Sequence, residues 1–218
     1  MSRDDQQDLQ EKRAVRHQEI LQSLESSCSD LPLCDIPTDI VLGQGNLNSD
    51  VMFIGEAPGR EEAKQRIPFV GRGGQLLNRT LEAAGMKRED FYVSNLVKVR
   101  PPDNRDPQPN EINAFLPYLL EEIELIQPKL FVTLGRFSMN FFMPEAKISA
   151  VHGNLQRFWW QDRITYLLPV YHPAAALRST KMREAFEVDI AKIPKSLDYI
   201  ALQQETDLQL QQVKNSLF

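Results

Sequence analysis

Cysteine occurs only twice in the 218 residues, as Cys28 and Cys34, tryptophan twice and histidine three times. Two cysteines are too few for a disulfide framework, and a reducing compartment is expected to keep them as thiols that do not staple the fold. His17, His152 and His172 are scattered, with no second and third ligand at metal spacing, so a zinc site is not expected. Long hydrophobic runs are missing too. Phe115–Leu120 is typical of the longest, far short of the roughly 18 apolar residues that a membrane span needs. The first residues, Met1 to Gln7, are polar and acidic with no apolar stretch behind them, which gives no secretory signal and predicts a cytoplasmic protein. Internal repeats are absent. With 42% hydrophobic and 25% charged residues, the chain reads as one soluble domain, inside the roughly 100 to 250 residues usual for one. Collagen, coiled-coil and disordered-tail readings are excluded.

Positive charge is also in deficit, at a formal net −5, which at first argues against a nucleic-acid partner. The distribution matters more than the sum. Residues 51–198 hold 20 Lys or Arg against 18 Asp or Glu, and the acidity lies in the two ends, with 5 against 12. Within the middle, Arg60, Lys64, Arg66, Arg72 and Arg79 form one basic group, Lys98, Arg100 and Arg105 a second, and Arg178, Lys181 and Arg183 a third. They line a basic cleft or form an ordinary solvated face.

Apolar spacing predicts a peripheral helix over residues 5–25, followed by an irregular connection over Ser26–Pro37. From Val51 onward the pattern becomes short apolar runs alternating with amphipathic segments. Val51–Ile54, Phe91–Val93, Leu130–Leu134 and Tyr166–Val170 read as buried strands. Gln75–Ala84, Glu111–Ile126, Phe137–Phe142 and Lys181–Ile193 read as helices. Such alternation predicts an α/β fold, a three-layer α/β/α sandwich around a mostly parallel four-stranded sheet. The expected divisions are an N-terminal helix and connection over 1–37, a catalytic domain over 38–198 and a Gln-rich helical tail over 199–218 with no chemistry of its own.

Ligands of such sheets bind beyond the carboxyl ends of the strands. Four strand ends then contribute to one mouth: Gly55-Glu56-Ala57-Pro58-Gly59, Ser94-Asn95, Gly135-Arg136 and His172-Pro173. The first is a glycine-flanked turn that admits close backbone approach, or a plain strand-to-helix turn. It lacks the dinucleotide and Walker signatures. Phe69, among glycines, is suited to stacking on a flat base or to plugging the core. Asn95 interrupts an apolar run, and its amide either reads a pyrimidine edge or bonds its own turn. His172 can donate to a developing negative charge or serve structure alone. Leu177 and Arg178 pair an apolar wedge with a cation, as an enzyme that extrudes a base requires, or simply start a helix. The stiff basic segment Lys98–Pro107, with Arg100 and Arg105, suits phosphate contacts or a solvated connection.

Together Gly55–Gly59, Pro68-Phe69-Val70-Gly71, Asn95 with Val97–Arg105, Thr133-Leu134-Gly135, and Tyr171-His172-Pro173 with Leu177-Arg178 resemble the family-four uracil-DNA glycosylases, in order and spacing, over roughly residues 40–195. The resemblance implies hydrolysis of the N-glycosidic bond of deoxyuridine in DNA, the first step of base-excision repair, by a chain expected to be monomeric. By position it implies that Phe69 stacks on a flipped uracil, that Gly55 is among the substrate-binding positions, that Asn95 reads the uracil edge, and that His172 faces the carbonyl oxygen where charge gathers. Glu56 and Ala57 border the site. Ala57 stands where other families carry a water-activating Asp, which leaves Glu56 and Glu62 as candidate bases. Arg100, Arg105, Leu177 and Arg178 are the expected DNA contacts.

The resemblance fails at the metal. Family-four enzymes hold an iron–sulfur cluster on four cysteines, and here Cys28 alone matches, with Leu31, Val99 and Phe115 at the other positions. No cofactor is therefore expected, and apolar packing is expected in the cluster's place. Loss of the cluster leaves open a binding module that recognises uracil or abasic DNA without cleaving it. A glycosylase for another deaminated base remains a further alternative.

Overall fold

In the computed structural model, which describes residues 3–160 and 163–217, six strands form one mixed sheet. They are β1 (Gln44–Gly45), β2 (Val51–Gly55), β3 (Tyr92–Asn95), β4 (Leu130–Leu134), β5 (Gln156–Trp160) and β6 (Arg163–Val170), in the order β1-β3-β2-β4-β6-β5. The four central strands run parallel, and β1 and β5 close the edges antiparallel. The expected strands are these four. The two edge strands correct the expected count, and each escapes sequence reading for a physical reason. β1 is a Gln-Gly pair with no apolar residue, and β5 is a half-buried edge whose residues alternate in exposure.

The helices are α1 (Arg3–Ser26), α2 (Arg60–Gln65), α3 (Arg72–Ala83), α4 (Pro109–Ile126), α5 (Arg136–Phe142), α6 (Ile148–Val151), α7 (Pro173–Ala176), α8 (Thr180–Ile190) and α9 (Ile193–Leu217). Alternate residues of each central strand point to opposite faces, so the sheet carries two cores. Phe53, Val93, Val132 and Leu168 pack against Leu77 and Leu81 of α3, Phe186 of α8 and Ile200 of α9. Met52, Ile54, Tyr92 and Phe131 pack against Ile20 and Leu24 of α1 and Phe115, Leu119 and Ile123 of α4. Helix, sheet and helix make the expected three layers.

The expected division at residue 198 falls inside α9, which buries Ile193, Ser196 and Ile200 before continuing to Leu217. Phe218 and the first two residues lie outside the described part. The N-terminal segment likewise joins the common core through Ile20 and Leu24. The cysteines are a correction: Cys28 and Cys34 form a disulfide, with Cα atoms 5.3 Å apart. The turn after α1 folds back on itself and brings the two residues together, a proximity that their number and spacing did not reveal.

Candidate active site

β2 and β3 end in register, with Gly55 opposite Asn95. Past this pair the two segments stay bonded, as Leu96 and Val97 donate their N–H groups to the carbonyls of Gly55 and Glu56. β4 ends at Leu134 and β6 at Val170 on the same edge of the sheet. Above these ends lies a cavity of about 550 Å³ whose wall includes Glu56, Ala57, Phe69, Asn95, His172 and Arg178. Residues separated by more than a hundred positions thus meet because parallel strands deliver their carboxyl ends to one side.

Gly55 is the floor between Asn95 and Phe69. A Cβ there would collide with the Asn95 Oδ1 and the end of the Phe69 ring, so only glycine lets both approach. Phe69 itself has φ +58, a left-handed conformation that is a true outlier for a bulky residue. The residue is 7% exposed and belongs to the core. Burial and site are therefore not alternatives here: the ring anchors in the core and presents one side to the cavity. Its centroid lies 6.1 Å from the His172 ring.

Asn95 is 2% exposed, and its Oδ1 has no hydrogen-bond partner among the described residues. An unpaired buried acceptor costs stability, so it points to a donor from outside the chain. His172 lies two residues past the end of β6 and directly precedes α7, and its Nδ1 accepts from the Ala174 N–H at 3.2 Å. That bond fixes the tautomer in which Nε2 carries the proton and can donate. Burial, aided by the cation of Arg178, lowers the His172 pKa from 6.5 to about 4, so the ring is neutral at pH 7.

Glu56 is the second perturbed group. Burial first, and the Asp106 carboxylate second, raise it from 4.5 to about 7, against the opposing pull of Arg136. Arg136 and Asp106 form an ion pair with each other and both line the cavity. Glu62 differs. Its Oε1 accepts from the Gly71 N–H at 2.8 Å, tying the start of α3 to α2.

The expected DNA contacts divide. Arg178 lines the cavity, and Leu177, its neighbour in the chain, is 42% exposed. Arg105 also lines the cavity, but its guanidinium is forked onto Glu111 at 2.6 and 2.8 Å. Arg100 donates to Asn104 Oδ1 at 2.7 Å and so braces the loop from behind. The Asp106–Arg136 pair carried no expected role, although Arg136 follows directly on a strand. Its partner lies 30 positions away, beyond any local pattern.

The cluster positions do not fit an iron–sulfur group. Leu31, Val99 and Phe115 supply no thiolate, the Cys28 sulfur is bonded to Cys34, and no metal-holding group of His, Cys, Asp and Glu occurs among the described residues. All four positions instead lie in the apolar cluster between α1, α4 and the sheet, with Cys28, Val99 and Phe115 nearly inaccessible.

The profile of the Uracil DNA glycosylase superfamily matches residues 42–193. The chain is 39% identical over 173 residues to a protein named Type-4 uracil-DNA glycosylase from Sulfurisphaera tokodaii, covering 77% of this chain and 79% of that protein. It is 39% identical over 172 residues to the protein of the same name from Archaeoglobus fulgidus, covering 77% and 86%. With the one from Thermotoga maritima the identity is 40% over 178 residues, covering 80% and 91%. Matched along both lengths and closed around the site just described, the chain belongs to the uracil-DNA glycosylase superfamily, on the side of its type-4 members.

Proposed function

We propose that the protein is a uracil-DNA glycosylase: it takes deoxyuridine out of the DNA stack into the cavity and hydrolyses its N-glycosidic bond, leaving an abasic site. The observation that carries the reading is the convergence of Asn95, with an unpaired buried acceptor, and neutral His172 on either side of the Phe69 ring. Uracil offers a flat face, an N3–H donor and two carbonyl acceptors. Phe69 receives the face, Asn95 Oδ1 accepts from N3–H, and the amide nitrogen donates to the adjacent carbonyl. Cytosine presents an acceptor at N3 and meets Asn95 Oδ1 with repulsion, which sets the selectivity.

Cleavage passes through an oxocarbenium-like sugar and a uracil anion. His172 Nε2–H donates to the carbonyl oxygen where that charge gathers, and a neutral donor held by the Ala174 N–H needs no proton rearrangement. Water then bonds to C1′ as the C1′–N1 bond breaks, and its proton passes to the Glu56 carboxylate. Glu56 suits this role better than Glu62, which is engaged with Gly71. Leu177 fills the place of the extruded base while Arg178 holds the backbone. Arg100 and Arg105 shape the neighbouring loop through their bonds to Asn104 and Glu111.

Apolar packing at Cys28, Leu31, Val99 and Phe115 supports a fold that needs no cluster. A single chain forms the whole mouth, so a monomer suffices, and no described helix is long and apolar enough to cross a membrane. The test uses end-labelled oligonucleotides with one uracil in single-stranded, U·A and U·G contexts, followed by alkaline cleavage. Scission at uracil, absent at thymine and cytosine, is the expected result. Binding without scission would mean a recognition module instead.

A further inference from the structure

Beneath the site, a lysine and a glutamate are completely shut off from solvent, with both side chains 0% exposed. Lys98 Nζ is ion-paired with Glu122 Oε2, and it donates to Ser94 Oγ at 2.7 Å and to the backbone carbonyl of Asn95 at 2.8 Å. These contacts use all three ammonium donors. Glu122, on α4, accepts from the Gly43 N–H and the Tyr92 hydroxyl, each at 2.8 Å, and from the Ser94 hydroxyl. The Lys98 carbonyl in turn accepts from the Val41 N–H at 2.7 Å. The network therefore joins β3, α4 and the segment before β1.

Structure alone does not call for this arrangement. Two buried charges repay their desolvation poorly, and an apolar pair of similar volume would stabilise the core at least as well. What the ions supply is direction. Asn95 is the last residue of β3 in register with β2, and on its nitrogen side the peptide that follows it is tied to β2 by the Leu96 N–H bond to the Gly55 carbonyl. The Asn95 carbonyl is held there from below by Lys98, while the Asn95 side chain faces the cavity from above.

We propose that Lys98, fixed by Glu122, is a positioning residue that, together with the Leu96 N–H bond to Gly55, sets the plane of the Asn95 peptide and thereby aims the amide at the base edge. The proposal rests on the uracil-excision reading. Lys98 touches no reacting atom, so its loss should slow the chemical step while leaving DNA affinity nearly intact.

The decisive comparison is Lys98→Met/Glu122→Leu, which removes both charges together and so avoids stranding one of them. Wild-type stability by thermal unfolding, with single-turnover uracil excision slowed by about 10- to 100-fold and DNA Kd within about twofold, is expected. Recovery of both stability and rate would overturn the proposal and leave the pair as packing. Should the double variant not fold, Ser94→Ala decides: it loses one hydroxyl from the network and is expected to excise about 3- to 10-fold more slowly at unchanged affinity. A wild-type rate there overturns the proposal. A readout independent of turnover is the Asn95 side-chain amide resonance in the folded protein, which should shift and broaden in either variant and would count against positioning if it did not move. Inactivity of the wild-type protein would contradict the excision reading itself, and the amide resonance would still test the positioning role.

Discussion

At the scale of single residues, the two perturbed groups pull stability in opposite directions with pH. His172 binds a proton less readily folded than unfolded, so its cost appears as pH falls below 6.5 and is complete below about 4. Glu56 binds one more readily folded, so its cost appears as pH rises above 4.5 and is complete above about 7. Each displacement is worth about 3 kcal/mol at most, less for the partly exposed Glu56. The slopes nearly cancel between these limits. Thermal unfolding of Glu56→Gln across that range should therefore unmask a rise in stability with pH that the wild-type protein hides. In catalysis the same carboxylate predicts an excision rate that climbs through about pH 7 and flattens in Glu56→Gln. Replacing Asp106 by Asn removes a neighbouring negative charge and should move that climb to lower pH. Asn95→Ala and His172→Ala should each lower single-turnover excision by about 10²- to 10³-fold, the usual cost of one donor at a charge-developing oxygen or one unread edge. Circular dichroism should show both folded. Gly55→Ala should lose excision comparably, because its methyl displaces either the Asn95 amide or the Phe69 ring.

Elements explain why formally similar arginines should behave differently. Arg105, in the loop before α4, is tied to the helix start, where Glu111 accepts from both its terminal nitrogens and from the Gln108 N–H at 2.7 Å. Arg178 follows α7 and faces the cavity with no ion-pair partner among the described residues. Arg178→Ala should then reduce the slope of log affinity against log salt by about one phosphate contact, whereas Arg105→Ala should lower the melting temperature and barely change that slope. Salt titrations of DNA binding beside melting curves separate the two. The disulfide belongs to this scale as well. It closes a loop with a sequence separation of only 6, for which chain entropy gives about 2 kcal/mol. Cys34→Ser, or reductant on the wild-type protein, should lower the melting temperature by several degrees, with excision unchanged because neither sulfur lines the cavity.

Across the whole molecule, what was legible in the sequence follows the reach of each signal. The four central strands are buried on both faces, so their apolar runs announce themselves, and their ends place Gly55, Asn95, Gly135 and His172 on one edge. The edge strands β1 and β5 lack that burial and were invisible. Side-chain partnerships across the fold were invisible for another reason: Lys98 with Glu122 and Asp106 with Arg136 meet only after the sheet has formed, and no local pattern records them. The cysteines mislead in the same way, since spacing does not reveal a turn that brings two of them together. Cys28, Leu31, Val99 and Phe115 pack in an apolar cluster and offer no set of thiolates, so excision is expected to need no metal cluster. The most direct measurement is iron and acid-labile sulfide on the very preparation whose uracil excision is recorded. Full excision with iron far below one atom per chain is the predicted result; excision that rises and falls with stoichiometric bound iron would contradict it.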